Sequence, residues 1–381
     1  MKILHLMLGC FYIDNYSYQE NYLPKYHKMQ GNDVEIVASL VSFDENGKPI
    51  LLPKAGKYVN EYGIPVTRIK YKKGRFSRRL RYYIGLKEEL ERIVPDLIFI
   101  HGVQFMDIGI VAKYCKAHKN VMVYADNHSD FSNSAKNWVS KYILHRIFWK
   151  GCAHKINPYV KKFYGVLPAR VDFLKNVYKL PENKIELLIM GADDESVERA
   201  LKPEISERLR DKYGIVKDDF VIMTGGKIDN NKPQTLILME AVNQLSDNNI
   251  KLLVFGTVTQ ELKGKFEDLL SEKVKYIGWK KSEDIYNEFA VADLVAFPGL
   301  HSVLWEQAVG MGKPCVFRKI DGFNHVDLNG NCIYFEEDTA EDYGRVIKSA
   351  MRDIEQLKKV AQNKGLNMFS YNKIAERSIG G

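Results

Sequence analysis

"FPGLHSVLWEQAVGMGKPCVF", residues 297–317, is the stretch whose reading decides the fold. An apolar run ends at Phe297, Pro298 and Gly299 turn the chain, and an amphipathic segment carries a single acid at Glu306. Gly312, Lys313 and Pro314 then close it ahead of a new apolar run. A short apolar run, a turn, a helical pattern, a second turn and another apolar run are the βαβ unit of a parallel sheet. The same rhythm extends in both directions. Strands are expected in "MKILHLML", "DVEIVAS", "DLIFIHG", "NVMVYAD", "KIELLIMG", "FVIMTGG", "IKLLVFGT", "VKYIGW", "ADLVAFPG" and "KPCVFR", most followed by a helix-length amphipathic segment. So many short strands imply two sheets. The charged segment 199–219, which carries Pro203, is read as the passage between them.

The bulk numbers agree with this class. A chain of 381 residues, 45% hydrophobic and 27% charged, suggests two or three globular domains. No apolar stretch reaches the ~18 to 20 residues of a membrane span. The opening "MKILHLMLGCFYI" has the length of a secretion signal, but His5 interrupts it and no small-residue cleavage site follows, so it is read as the first strand. Cys10, Cys115, Cys152, Cys315 and Cys332 are scattered and never spaced as metal pairs. That usage fits a reducing cytoplasm, and no metal is expected.

The net charge of +8 is concentrated. Residues 68–81, "RIKYKKGRFSRRLR", contain Lys and Arg and no acid, among them Arg75, Arg78, Arg79 and Arg81. Residues 131–171 also lack Asp and Glu, and "NWVSKYILHRIFWK" interleaves cations with Trp138, Tyr142, Phe148 and Trp149. Cations beside aromatic rings suit an anionic membrane surface, at roughly 1 kcal/mol per cation. The alternative is a solvated helix face. Nucleic acid is not expected, because no zinc-finger spacing, RRM-type aromatic motif or basic zipper occurs.

In open α/β sheets ligands bind beyond the carboxyl ends of strands. After "FVIMTGG" come Lys227 and Lys232, five residues apart on a loop, with Gly225 and Gly226 letting backbone approach a ligand. This pattern suits a diphosphate clamp. After "ADLVAFPG", a helix starting near Ser302 would put Ser302 and Glu306 on one face. A capping box would need its acid where Trp305 stands, which leaves the Glu306 carboxylate free for a vicinal diol such as a ribose. The amides at the helix mouth, around His301, Ser302 and Val303, could take a phosphate.

"GGKIDNNKPQTLILMEAV", "YIGWKKSEDIYNEFAVADLVAFP" and "SVLWEQAVGMGKPCV", in this order and spacing, resemble the carboxyl-terminal domain of GT-B glycosyltransferases of the retaining family 4. The resemblance implies an α/β fold of two Rossmann-like domains facing each other across a cleft: an acceptor-binding domain at 1–198, a linker at 199–217, a nucleotide-sugar-binding domain at 218–365, and a helix at 366–381 crossing back to the first domain. It implies that Lys227 and Lys232 clamp the donor diphosphate, that Glu306 binds the donor ribose, and that backbone around Tyr276, Ile277, Gly278 and Trp279 reads the base. In the first half, Gly9 falls in the family's glycine loop and Gln19, Glu20 and Asn21 at the following helix mouth. His101 falls on the strand carrying a His near the transferred sugar, and "ADNHSD" ends a strand with Asp126, His128 and Asp130. One departure stands out: Pro298 occupies the place of the family's earlier Glu, leaving the sugar contact to His301 and Ser302.

The activity implied is sugar transfer from a nucleotide-diphosphate-sugar to a glycan or lipid-linked glycan acceptor, as in bacterial surface polysaccharide assembly, without metal or other cofactor and with retention of configuration. Cations and helix-mouth amides would stabilise charge growing on the leaving phosphate. The location implied is cytoplasmic, peripheral on the inner face of the cell membrane. A nucleotide-sugar 2-epimerase of the same fold and a non-catalytic nucleotide-sugar-binding protein are the alternatives. An NAD-dependent oxidoreductase is disfavoured, since Gly9 stands without the spaced glycines of the dinucleotide fingerprint.

Overall fold

The computed structural model describes the chain apart from residues 45–47, 132, 135–136 and 231–232. It divides into two units, one of Met1–Ile189 with Ile374–Gly381 and one of Met190–Lys373. In unit 1 the strands are β1 (Lys2–Met7), β2 (Asp33–Ala38), β3 (Val41–Phe43), β4 (Pro49–Leu51), β5 (Gly56–Val59), β6 (Pro65–Arg68), β7 (Leu97–His101), β8 (Met122–Asn127), β9 (Val160–Gly165) and β10 (Ile185–Leu187). β3 and β4 pair as a small antiparallel ribbon, and the rest form one sheet in the order β10-β9-β8-β7-β1-β2-β6-β5. Only β5 runs antiparallel to its neighbour.

The central strands of this sheet are buried on both faces, which is why they read as continuous apolar runs. The two faces nevertheless differ. Leu4 and Leu6 of β1, Ile98 and Ile100 of β7, and Val123 and Ala125 of β8 belong to one apolar core with Leu90, Val111 and Phe173. The alternate positions His5, Phe99, His101 and Asp126 point to the other side and are just as buried. The sheet order reverses direction at β1 and β7. There Gly9 and Gly102 lie so close that a Cβ on Gly9 would stand 2.0 Å from the Gly102 carbonyl oxygen.

Unit 2 contains β11 (Phe220–Ile228), β12 (Ile250–Val258), β13 (Val274–Tyr276), β14 (Leu294–Phe297), β15 (Cys315–Arg318) and β16 (Cys332–Phe335). They form an all-parallel sheet in the order β13-β12-β11-β14-β15-β16. This is the doubly wound Rossmann order, with its reversal between β11 and β14. Ile222, Leu252, Val254 and Leu294 pack with Leu238, Val242 and Ile347 from the crossover helices. Both units are therefore α/β and Rossmann-like.

The division does not follow the expected boundaries. Residues 199–217 are not a linker: the helix Pro203–Tyr213 packs within unit 2, where Ser206 Oγ donates to Ala290 O at 3.4 Å and Arg210 reaches Asp293 at 3.9 Å. Its charged exposed face made it resemble a connector. The chain changes unit between Ile189 and Met190, and the last helix, Tyr371–Ser378, contributes residues to unit 1 from Ile374 onward.

Candidate functional site

In unit 2 the residues singled out by the sequence lie at the carboxyl ends of β11, β13 and β14. The helix after β14 spans Leu304–Gly310, so it starts two residues later than expected, with Val303 as its N-cap and Ser302 outside it. Trp305 N–H donates to Ser302 O at 3.0 Å, and Gln307 N–H donates to Val303 O at 3.1 Å. Glu306 sits in the first turn with none of its surface exposed.

Its carboxylate is not free as expected. Glu306 Oε1 lies 2.8 Å from His301 Nε2 and 2.7 Å from His325 Nε2. A buried anion needs such donors. Burial by itself would raise the Glu306 pKa, but the two imidazoles hold the carboxyl well below the usual range, so it is ionised. Oε2 is buried and has no hydrogen-bond partner among the described residues. One oxygen is thus fixed, and the other is buried without a donor. His301, expected at the donor sugar, is turned onto Glu306. His325, on the short helical turn Asn324–Val326 after β15, was not anticipated, because nothing in its local pattern marks it.

Gly226, near the carboxyl end of β11, has φ 117°, and a Cβ on the neighbouring Gly256 would stand 1.9 Å from the Gly226 carbonyl oxygen. β11 and β12 therefore approach at a distance only glycine permits. Lys227 follows, exposed, with Nζ 3.3 Å from Asp229. Lys232 lies outside the described residues. Ile277 N–H and Gly278 C=O are bonded to Val254 and Gly256, which extends the edge of the sheet past β13. Tyr276 OH donates to Gly256 O at 2.6 Å, and the Trp279 ring is exposed beside them.

In unit 1 the structure brings several of the predicted residues together. His101 and Asp126 are register partners at the ends of β7 and β8, with Nδ1 and Oδ2 2.8 Å apart. His128 Nε2 is 3.2 Å from the same Asp126 oxygen and 3.7 Å from Glu20. Burial alone would depress His128, but Glu20 and Asp126 raise it, so its charged form is favoured. Gln19 begins the helix Gln19–Met29, buried and with both amide atoms unpartnered among the described residues, while Asn21 Nδ2 donates to Ile13 O. Asp130 stands apart, 3.1 Å from Arg170 and capping the Asn133 amide.

The basic windows divide by exposure. Arg75, Arg78 and Arg79 are exposed beside exposed Phe76. Arg81 is a correction: its left-handed backbone turns the guanidinium inward, onto the Gly9 and Gln104 carbonyl oxygens and the Trp149 ring. Arg68 is likewise buried, 2.9 Å from Asp14. The segment Val139–Trp149 forms a helix with π-type hydrogen bonding. Trp138 and Ile147 are 66% and 62% exposed there, and Arg146 lies over the Tyr142 ring. Among the described residues no helix is long and apolar enough to cross a membrane.

Residues 205–365 match the model of the family Glycosyl transferases group 1. Over most of its length unit 2 is thus similar to the domain that this model describes. An uncharacterized glycosyltransferase of Methanocaldococcus jannaschii is 21% identical over 170 residues, 42% of this chain. The match spans 43% of that relative's own length. Among solved structures, the Anabaena protein HepE in complex with UDP is similar over 99% of this chain and 98% of its own, at 16% identity and a TM-score of 0.64. UDP-GlcNAc 2-epimerase of Neisseria meningitidis, bound to UDP-GlcNAc, covers 99% of both chains at 12% identity and a TM-score of 0.63. Likeness at this identity establishes the two-domain GT-B fold. The span matched by the family model includes Lys227, Ile277, Glu306 and His325.

Proposed function

We propose that this protein transfers a sugar from a nucleotide-diphosphate-sugar to a glycan or lipid-linked glycan acceptor in bacterial surface polysaccharide assembly, with retention of configuration and without a metal. The observation that carries the reading is Glu306 at the reversal of a doubly wound sheet: ionised, buried, one oxygen fixed by His301 and His325, the other unpartnered. A ribose diol supplies the donors such an oxygen lacks, and a charge-assisted hydrogen bond of this kind is worth about 1.5 to 3 kcal/mol. Trp279 offers a ring for the base, and Lys227 and Lys232 supply cations for the diphosphate. As the glycosidic bond breaks, charge grows on the leaving phosphate, so these cations act chiefly on the transition state. The exposed Arg75, Arg78 and Arg79, with Trp138 and Ile147, suit an anionic membrane surface on the cytoplasmic side, where a lipid-linked acceptor would be met.

A thermal-shift screen of nucleotide-sugars tests the donor. A ligand at 100-fold its dissociation constant adds about 2.7 kcal/mol, so one nucleotide class should raise the melting temperature clearly. No stabilisation by any of them would overturn the reading. The fold likeness to an epimerase favours a second reading, conversion of the donor sugar itself. Turnover of donor without acceptor, to an epimer and not to free nucleotide, would select it.

A further inference from the structure

At the carboxyl ends of β7 and β8, three side chains bring potential ligand atoms to one point. His101 Nδ1 is 2.8 Å from Asp126 Oδ2, His128 Nε2 is 3.2 Å from the same oxygen, and the three atoms all lie within 4.8 Å of one another. Each is buried, and none has a hydrogen-bond partner among the described residues. Distance is not what fails. At these separations an N–H···O bond lacks only direction, so the ring nitrogens are aimed beside the oxygen and not at it. Buried polar atoms left unmatched are costly and uncommon, and three of them meeting at one place call for a shared partner.

Unit 2 brings the same kinds of residue together and supplies the contrast. There His301 and His325 point Nε2 at Glu306 Oε1 in hydrogen-bond geometry, at 2.8 and 2.7 Å, so hydrogen bonds alone hold that cluster. In unit 1 it is the opposite ends of the groups that are anchored. Asp126 Oδ1 accepts from the Gly102 N–H at 3.1 Å. His101 Nε2 is 2.9 Å from His5 Nδ1, His5 Nε2 is 3.0 Å from His27 Nδ1, and His27 Nε2 is 3.0 Å from Ala375 O. Anchoring the far atom of a ligand in this way is how proteins orient groups toward a metal. The His101 and Asp126 side chains are wholly buried while that of His128 is 22% exposed, so the cluster opens to solvent on the His128 side.

We propose that His101 Nδ1, Asp126 Oδ2 and His128 Nε2 bind a divalent transition-metal ion of the zinc type. Two imidazoles and a carboxylate suit zinc and its neighbours, whereas magnesium and calcium take oxygen ligands. Metal–ligand bonds of about 2.0 to 2.2 Å separate adjacent ligand atoms by roughly 3 to 3.5 Å, so the observed spacings need only a few tenths of an ångström of adjustment. Glu20 Oε1, 3.7 Å from His128 Nε2, is close enough to become a fourth ligand, which would clip the helix Gln19–Met29 to the strand ends. The ion takes the place of the proton that Glu20 and Asp126 otherwise favour on His128. The inference goes beyond the proposed sugar transfer and does not rest on it: charge on the leaving phosphate is assigned to Lys227 and Lys232, and no step of transfer passes through this ion.

Zinc titration of the untagged full chain, stripped with a chelator beforehand, tests this without reference to activity. Calorimetry should show one zinc bound per chain and a raised melting temperature, and magnesium at the same concentration should produce neither. His128→Ala, on the side open to solvent, should weaken zinc binding by at least ~10-fold. Glu306→Gln should bind zinc as the wild type does, which separates this cluster from the one in unit 2. Zinc bound no better than magnesium, or bound as tightly by His128→Ala as by the wild type, overturns the proposal. Zinc lost in Glu306→Gln places the ion in unit 2 and overturns it as well. If His128→Ala does not fold, the wild type labelled with ¹⁵N-histidine decides: zinc should move the ring signals of His101 and His128 and leave those of His301 and His325 in place, and the reverse pattern sinks the assignment.

Discussion

At the scale of single residues, Glu306 is the point on which nucleotide binding turns. Glu306→Gln keeps the shape but loses the charge and one acceptor, a loss of about 1.5 to 3 kcal/mol. Affinity for the nucleoside diphosphate should fall roughly 10- to 100-fold, measured by calorimetry on protein whose circular dichroism is unchanged. Equal affinity would dissociate Glu306 from the ribose. His325→Phe should weaken nucleotide binding in the same direction though His325 itself carries the contact only through Glu306, whose carboxylate would be held by His301 alone. Lys232→Ala should lower turnover at saturating donor by ~10²–10³ while leaving acceptor affinity near the wild-type value, because its charge is matched to the transition state. The spacing in the sequence pointed to Glu306 and the lysine pair. It could not point to His325, which shares no helical face or turn with Glu306 and meets it only because β15 lies beside β14.

At the scale of elements, the basic windows behave as two kinds of structure. Arg75, Arg78 and Arg79 project from the short helix Ser77–Leu80 and the turn before it, whereas Arg81 is held by carbonyl oxygens beneath. Changing Arg75, Arg78 and Arg79 to Gln should abolish sedimentation with anionic vesicles at low salt, since each removes about 1 kcal/mol of attraction. Arg81→Gln should act differently, lowering the melting temperature and loosening the Gly9 loop. Vesicle binding that survives the triple change would assign the contact to the Val139–Trp149 helix, and a wild type that ignores anionic vesicles at low salt would exclude the membrane. Composition exposed the charge, but which cations face outward depends on the left-handed turn at Arg81. The strands missed by pattern have a similar cause. β9 begins Val160-Lys161-Lys162, and its lysines stay at the surface of a strand still paired to β8.

At the scale of the whole molecule, the buried histidines predict an acid limb in stability. His27 and His145 are depressed to about 4 by burial, and His5 is depressed as well. Their unfolded forms bind protons below the ordinary value of about 6.5, while the folded forms remain neutral to about pH 4. The unfolded state therefore holds more protons in that window, and stability should fall by several kcal/mol as pH drops through it. His128, which is raised, opposes this with one group. Urea unfolding at stepped pH measures the net slope; a flat profile from pH 6.5 to 4.5 would mean that these rings are charged or exposed in solution.

The parallel α/β architecture, the two sheets and the strand-end positions of His101, Lys227 and Glu306 were legible in the sequence. Periodicity, turn residues and strand-to-helix alternation act over a few residues, and those local rules are enough to place them. Tertiary structure alone decided where the chain changes unit, that 199–217 is helical packing material of unit 2, and that Arg81 faces inward. It alone joined His301 and His325 on Glu306, and His27, His5 and His101 into one line. These contacts join residues distant in the chain through the order of strands in a sheet, and that order is set by packing, which no local spacing records.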